Sequence, residues 1–276
     1  MVGMKNNKME TMIGATALMK ALEKEGVKEV FGLPGGANLP MYDELYKSNI
    51  RHILVRHEQS AAHMADGFGR VSRKPGVCFA TSGPGATNLL TGIATAQADS
   101  APMVAVTGQV PVAMIGRDAF QESDIIGMAN PSVKYSYQPR TPEDIPQIVK
   151  QGFYIAETGR PGPVLLDIPK DVQQNEAKFT FPDEVRIPGY HPWTDPDIPS
   201  IEKAVELLLS SEKPIILAGG GAIISSAFAE LQSIAEMLMI PVVTTFKGKG
   251  AFPENHPLSL GPIGMHGLAE ANKVMT

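Results

Sequence analysis

The chain has 276 residues, 43% of them hydrophobic and 19% charged, a globular composition long enough for about two domains. Its formal net charge is −5 and its charges are interspersed, which excludes a basic surface for nucleic acid and a polybasic segment for a membrane. No apolar stretch reaches the roughly 20 residues that span a bilayer, and the first residues lack the apolar core of a secretory signal, so we expect a cytoplasmic protein.

Short apolar strands alternate with helices from about residue 10 onward. The predicted elements are helices at 15–27, 40–48, 58–72, 86–100 and 142–158, with strands at 29–33, 51–56, 76–82, 102–108 and 163–169. This alternation predicts an α/β fold with a parallel sheet flanked by helices. Cys78 is the only cysteine and lies in a predicted buried strand, which favours an inert core thiol over a nucleophile.

Residues 173–198 are polar and rich in proline, without a sustained period, and they predict a linker; a surface loop of one larger domain is the alternative. A second alternation follows, with helices at 199–211 and 224–238 and strands at 213–221 and 240–246. The predicted organisation is therefore a first domain at 1–172, a linker at 173–198 and an incomplete α/β domain at 199–276.

The segment RHEQ, residues 56–59, joins a predicted strand to a helix that opens with Glu58. Parallel sheets place functional groups at the carboxyl ends of their strands, and the helix dipole favours a carboxylate in the first turn. Glu58 is thus a candidate for acid–base chemistry, and a helix-capping role is the alternative. His57, His63 and Asp66 nearby do not have a recognised metal-ligand spacing.

Three glycine-rich turns follow predicted strands: GLPGGA at 32–37, TSGPGATN at 81–88 and the triplet at 219–221. Such turns let a ligand approach backbone N–H groups at the amino end of a helix. They lack the lysine of the Walker loop and the spacing of the dinucleotide fingerprint. Each turn taken alone is equally consistent with a tight connection that needs glycine.

Five motifs in order, GLPGGA, RHEQSAAHMADGFGR, TSGPGATN, GRDAFQESD and GRPGPVLLDIPKD, resemble the pyrimidine-binding domain of thiamine-diphosphate enzymes, most closely that of acetolactate synthase large subunits. The resemblance covers about residues 10–172 and resumes with ILAGGG and GMHG, which are similar to the start of that family's central, FAD-binding domain. It implies decarboxylation of pyruvate and condensation with a second 2-keto acid, a step of branched-chain amino acid biosynthesis. The alternatives are a related pyruvate oxidase or decarboxylase, or a non-catalytic binding or regulatory chain.

The resemblance also implies roles for individual residues. Glu58 would hydrogen-bond the pyrimidine N1′ of thiamine diphosphate and favour its imino tautomer, and Gln121 would lie near the reacting end of the cofactor. Phe120 and Lys134 match positions near the substrate entrance, and Lys134 is a third catalytic candidate. Tyrosine follows Lys134 where the family commonly has histidine, and an ordinary solvated lysine is the alternative. The remaining predicted contacts of the pyrimidine are Gly36, Pro84 and Asn88.

In the second domain the resemblance implies binding of FAD, although a glycine triplet alone also fits a plain turn. The residues that match the family's FAD contacts are Arg160, Gly219, Gly220, Gly221, Thr245, Phe246, Met265 and His266.

The family holds the diphosphate through Mg²⁺ with a glycine-aspartate-glycine motif that this sequence lacks. We therefore expect no metal ligands here, and we expect thiamine diphosphate to be shared with another chain, either a dimer partner or a subunit that supplies the C-terminal half. A small regulatory subunit is a further candidate partner. Either a truncation or a natural split subunit fits, and in both cases the isolated chain is expected to be inactive.

Overall fold

The computed structural model describes residues 9–192 and 195–275, and these two ranges form two compact units. Residues 1–8, 193, 194 and 276, which the predicted domain ranges include, lie outside the described residues. Within the described ranges no helix combines the length and the apolar character needed to cross a membrane.

The first unit alternates strands and helices nearly as the sequence predicts. Its elements in chain order are β1 (Glu10–Ile13), α1 (Gly14–Lys24), β2 (Glu29–Gly32), α2 (Leu39–Leu45), β3 (Arg51–Leu54), α3 (Glu58–Ser72), β4 (Gly76–Ala80), α4 (Pro84–Asn88), α5 (Leu90–Asp99), β5 (Met103–Gln109), α6 (Ile125–Ala129), β6 (Tyr135–Tyr137), α7 (Ile145–Glu157), β7 (Pro163–Pro169), α8 (Lys170–Gln174) and β8 (Glu176–Phe179). Short 3-10 helices lie at Val112–Met114, Asn130–Ser132 and Pro142–Asp144.

A parallel sheet with the strand order β3-β2-β4-β5-β7-β6 forms the centre of the first unit. Successive side chains of a strand face opposite sides of the sheet. Val77 and Phe79 of β4 join the core formed with α1, α2 and α7, whereas Cys78 and Ala80 join the core formed with α3, α5 and α6. The predicted α/β fold with helices on both faces is confirmed.

Cys78 lies in this sheet and is fully buried, as its sequence surroundings indicate. Burial disfavours the thiolate and raises the pKa of the thiol to about 12. A thiol in this state is not a nucleophile near neutral pH.

The first unit extends beyond the predicted boundary at residue 172. Strand β8 pairs antiparallel with β1, with Glu10 opposite Phe179, and the side chains of Phe179 and Phe181 enter the core. The first part of the predicted linker at 173–198 therefore belongs to the first unit, where it forms the end of α8 and strand β8. The alternation of apolar Ala177, Phe179 and Phe181 with polar neighbours is the signal for this strand.

The second unit is a smaller α/β arrangement. Its elements are α9 (Ile198–Ser210), β9 (Ile216–Ala218), α10 (Gly220–Ile224), α11 (Phe228–Leu238), β10 (Val242–Thr244), a 3-10 helix (Phe246–Gly248), β11 (Ser259–Pro262) and α12 (Ala269–Lys273). The three strands form a parallel sheet in the order β11-β10-β9. Its core is small, with Val242 and Phe252 among its buried members.

Candidate functional site

Glu58 is the first residue of α3 and follows the carboxyl end of β3. The cap of this helix is made by its neighbour, because Nδ1 of His57 accepts a hydrogen bond from the backbone N–H of Gln59 at 3.2 Å. The side chain of Glu58 is thus not used as the N-cap, although the helix dipole favours a carboxylate at its position. Glu58 is nevertheless only 8% exposed, and carboxyl groups are seldom buried to this degree unless they have a partner.

The partner of Glu58 comes from another helix. Nδ2 of Asn88, the last residue of α4, donates to Oε2 of Glu58 at 3.0 Å. The amide is a neutral donor, and the ion pairs found among the described residues do not include Glu58. The structure therefore joins two of the predicted site residues into a carboxyl–amide pair in which Glu58 is buried and Asn88 is half-buried.

A glycine turn packs closely against this pair. A Cβ atom built on Gly85 would lie 3.3 Å from Oε1 of Glu58 and 2.7 Å from Cγ2 of Thr81, so a side chain at position 85 would crowd the carboxyl group. Gly83 has φ 58°, and its Cβ would lie 2.7 Å from the carbonyl oxygen of Gln121. The turn thus needs glycine both for its backbone conformation and for the close approach of the Gln121 segment.

The GLPGGA loop is fixed to the same turn. The N–H of Ala37 donates to Oγ1 of Thr81 at 3.0 Å, and Oδ1 of the fully buried Asn38 accepts from the N–H of Gly35 at 2.7 Å. Gly36 at the tip of the loop is exposed, and a Cβ built on it would meet no atom within 4 Å. Position 36 therefore faces open space while the rest of the loop is held rigidly.

Phe120 and Gln121 lie on a loop between β5 and α6. Phe120 is 88% exposed, Gln121 is exposed with φ 58°, and Pro84 of the glycine turn is exposed as well. The carboxylate of Glu122 accepts hydrogen bonds from the backbone N–H groups of Gly116 and Ala119, and these bonds lower the pKa of Glu122. The loop thus presents Phe120 and Gln121 outward on a hydrogen-bonded backbone.

Lys134 is the predicted site residue that the structure does not bring to this place. It precedes β6 and donates its backbone N–H to Pro163, the first residue of β7, so it lies at the amino edge of the parallel sheet. Its Nζ donates to the carbonyl oxygen of Ile155 in the last turn of α7 and, at 2.7 Å, to that of Thr158 just beyond the helix. Burial lowers the pKa of Lys134 to about 8. This geometry suits a lysine that satisfies carbonyls at a helix end and differs from that of a freely solvated lysine, while the substrate role of Lys134 stays a prediction.

Sequence reasoning missed the residues that support the site. Asn38 and Thr81 lie inside the quoted motifs but were not singled out, and their hydrogen-bonding side chains connect the two glycine loops. A polar residue within a glycine-rich motif is the signal that could have found them.

In the second unit the predicted FAD residues lie just after the three strands, on loops or in the first turn of a helix. Gly219 follows β9, Thr245 follows β10 and Met265 follows β11, and the carboxyl ends of parallel strands meet at one edge of a sheet. A Cβ on Gly219 would lie 3.9 Å from Oγ1 of Thr245, which itself accepts from the N–H of Gly248 at 3.0 Å. The other members of this set are Gly220, Gly221, Phe246 and His266.

Arg160 belongs to the first unit and already has protein partners. Its Nε donates to Oγ of Ser100 at 2.7 Å, and its Nη2 donates to the carbonyl oxygens of Gln97 and Ala98 at 3.2 Å each. These bonds satisfy backbone carbonyl groups at the carboxyl end of α5.

Two family models match the chain. The N-terminal TPP binding domain of thiamine pyrophosphate enzymes matches residues 12–128, and the central domain of the same enzymes matches residues 201–276. The first match includes the Glu58–Asn88 pair and the Gln121 loop, and the second includes the three loops of the second unit.

Curated relatives align along nearly the whole chain. A protein of Methanocaldococcus jannaschii named "Probable acetolactate synthase large subunit" is 58% identical over 268 residues, 96% of this chain and 45% of that protein. The acetolactate synthase large subunit of Cyanidium caldarium is 54% identical over 276 residues, 97% of this chain and 47% of that protein. That of Corynebacterium glutamicum is 52% identical over 263 residues, 95% of this chain and 42% of that protein.

The chain thus spans a little less than half the length of these relatives. The predicted resemblance to acetolactate synthase large subunits is confirmed by these identities. The chain therefore belongs to the thiamine pyrophosphate enzymes and contains their N-terminal TPP binding domain followed by sequence of their central domain.

Proposed function

We propose that the chain supplies the pyrimidine-activating half of an acetolactate synthase. The complete assembly decarboxylates pyruvate and condenses the product with a second 2-keto acid, which is a step toward branched-chain amino acids. The observation that carries this proposal is the hydrogen bond between the buried Glu58 and the half-buried Asn88 beside Gly85. The names of the relatives support acetolactate synthesis as the reaction.

The residues present fit the aminopyrimidine of thiamine diphosphate. The ring would meet the carboxyl group of Glu58 where Gly85 carries no side chain to cover Oε1, and the exposed Gly36 and Pro84 would line its open side. When bound, thiamine diphosphate supplies an electron sink for the loss of carbon dioxide from a 2-keto acid.

Within this arrangement Glu58 shares a proton with the ring nitrogen N1′, and the amide of Asn88 orients the carboxyl group for that exchange. Gln121 and Phe120, which the loop presents outward, lie on the substrate side of the pyrimidine in this proposal.

The chain needs a second polypeptide segment for the diphosphate, because it has no glycine-aspartate-glycine motif for Mg²⁺. We propose that a dimer partner or a separate C-terminal-half subunit supplies this segment. We also propose that the carboxyl edge of the second unit's sheet, with its glycine triplet and Thr245, holds FAD or an adenine nucleotide. Titration of the chain into FAD, followed by flavin fluorescence, tests the second of these proposals.

The reaction is tested by joining the chain to the C-terminal portion of a relative and assaying acetolactate with pyruvate, thiamine diphosphate, Mg²⁺ and FAD. We expect Glu58→Gln to lower turnover by at least about 100-fold, because positioned acid–base groups contribute roughly that much or more. Glu29→Gln is the matched control, since Glu29 lies at the amino end of β2 and pairs with Arg51.

Unchanged turnover in Glu58→Gln would refute the proton-sharing role. Formation of acetaldehyde or acetyl phosphate in place of acetolactate would assign a related decarboxylase or oxidase. If no product forms although the C-terminal portion works with its own N-terminal half, the chain is a non-catalytic member of the family.

A further inference from the structure

A second carboxylate of the first unit is more deeply buried than Glu58 and is not used by the proposed chemistry. Asp167 lies near the carboxyl end of β7 and is 0% exposed. It pairs in register with Thr107 of β5, and both side chains face the side of the sheet covered by α6. A buried carboxylate costs free energy unless it is hydrogen-bonded, so its partners indicate what it holds in place.

Three neutral donors surround Asp167. Oγ1 of Thr107 donates to Oδ1 at 2.6 Å, while Nε2 of Gln109 and Nε2 of Gln138 donate to Oδ2 at 3.0 and 2.7 Å. Burial raises the pKa of Asp167 to about 6, the three donors act in the opposite direction, and the charge of Asp124 adds to the increase. At pH 7.5 the group is therefore ionised and can only accept hydrogen bonds.

This acceptor fixes the orientation of the Gln109 amide. Because Asp167 cannot donate, the NH₂ group of Gln109 must face it, and the amide oxygen is then turned toward the N–H of Val110, which donates to it at 2.9 Å. The second hydrogen of Nε2 is directed to the carbonyl oxygen of Ser123 at 2.9 Å. If the amide were reversed, two carbonyl oxygens would face each other and the bond to Ser123 would be lost.

The Ser123 carbonyl is a fixed point at the end of the loop that carries Gln121. The hydroxyl of Ser123 is buried without a partner among the described residues, so the carbonyl makes the connection. Two residues earlier, the backbone of Gln121 packs directly on Gly83 of the turn beside Glu58. A continuous path of contacts thus runs from Asp167 to the glycine turn.

We propose that Asp167 is a positioning residue that, through Gln109, holds the Ser123 carbonyl and thereby keeps the Gln121 loop on the glycine turn beside Glu58. The contribution of the loop to catalysis rests on the proposed function, whereas the connection itself does not. Asp167 is fully buried, so it acts on the site through its hydrogen-bond partners, of which Gln109 also bonds the Ser123 carbonyl.

The connection is tested by hydrogen–deuterium exchange of this chain at pH 7.5, read by mass spectrometry. In Asp167→Asn the acceptor becomes an amide that can present its own NH₂ to Gln109, and in Gln109→Met the donor to Ser123 is absent. Both variants are expected to exchange about tenfold faster in the segment 116–126, because one net hydrogen bond is worth about a factor of ten, while β4 keeps its protection. Thr107→Val is the matched control, since it removes a donor from the same carboxylate and leaves the Gln109 bond in place.

Faster exchange of segment 116–126 in both variants and not in the control supports the proposal. Unchanged exchange of that segment, or an equal increase throughout the first unit, overturns it. If Asp167→Asn gives no cooperative unfolding transition, Gln109→Met decides the question alone. None of these exchange measurements requires turnover, so their outcome is independent of the outcome of the acetolactate assay.

Discussion

The two units of the chain share the same alternation of strands and helices, but they bury their helices to different degrees. In the first unit α1 buries seven of its 11 residues against the six-stranded sheet. In the second unit α9 is also amphipathic and buries none of its 13 residues, with Ile201, Val205 and Leu207 exposed at 47%, 48% and 62%. An amphipathic pattern therefore predicts that a helix forms, and the elements available to pack on it decide how much that helix contributes to stability.

This difference also bears on the two candidate sites. The glycine turn, the GLPGGA loop and the Gln121 loop are held by buried side chains such as Asn38 and Asp167. The loops of the second unit carry strongly exposed side chains, with Phe246 at 83% and Met265 at 94%. Hydrogen bonds of buried side chains thus hold the loops of the first unit, whereas the loops of the second unit carry side chains that are mostly in solvent.

The largest expected effect comes from Phe79, which is fully buried in the first unit and makes an edge contact with Tyr42. Phe79→Ala should lower the free energy of unfolding of the first unit by about 3–5 kcal/mol, because it removes apolar area and leaves a cavity. Denaturant titration read by hydrogen exchange of each unit measures the effect. Phe252→Ala is the matched control in the smaller core of the second unit. If Phe79→Ala lowered the protection of both units equally, the two would unfold as one cooperative body.

The next largest effect is on the pH dependence of the free energy of unfolding. The pKa of Asp167 is 3.8 in the reference state and about 6 in the fold, so between these values the folded protein binds more protons than the unfolded chain. The contribution of Asp167 to stability is therefore present below about pH 4 and is lost as the pH rises through about 6, with a total of about 3 kcal/mol. Unfolding free energies of the chain and of Asp167→Asn, measured from pH 4 to 7, isolate this contribution as their difference. A difference that does not vary with pH would show that Asp167 titrates alike in both states.

The smallest effect is expected on the exposed helix of the second unit. Leu207→Gln should change the free energy of unfolding by no more than about 0.5 kcal/mol, because Leu207 is 62% exposed and glutamine has a similar helix propensity. Thermal unfolding of the chain and the variant measures it. If Leu207→Gln lowered the free energy of unfolding by more than about 1 kcal/mol, this face of α9 would be packed in solution. The two units would then not differ in how their helices are buried.

Much of the fold could be predicted because its signals are local. The helix predicted at 58–72 and the strand predicted at 163–169 have the bounds of α3 and β7, since a capped amphipathic run and a continuous apolar run each mark their own ends. The helix predicted at 86–100 is two helices that meet at Leu89, because Pro84 starts a separate turn. Strand β8 was missed because its partner lies at the other end of the unit.

The candidate site could be predicted only where a motif carried it. Glu58, Asn88 and Gln121 lie at or beside the glycine turn, as the motifs indicated. Lys134 lies at the amino edge of the sheet, which a motif match does not reveal, and its role near the substrate stays a prediction. Asp167 escaped notice within a strand that reads as apolar, since its partners Gln109 and Gln138 come from distant segments.

The burial of Cys78 has a practical consequence for following the Gln121 loop. A thiol that is 0% exposed and has a pKa of about 12 reacts poorly with maleimides and methanethiosulfonates in the folded chain. Phe120→Cys, at a position that is 88% exposed, would therefore provide a single addressable thiol on the loop. A spin label or fluorophore attached there could report the loop's motion without first removing the native cysteine.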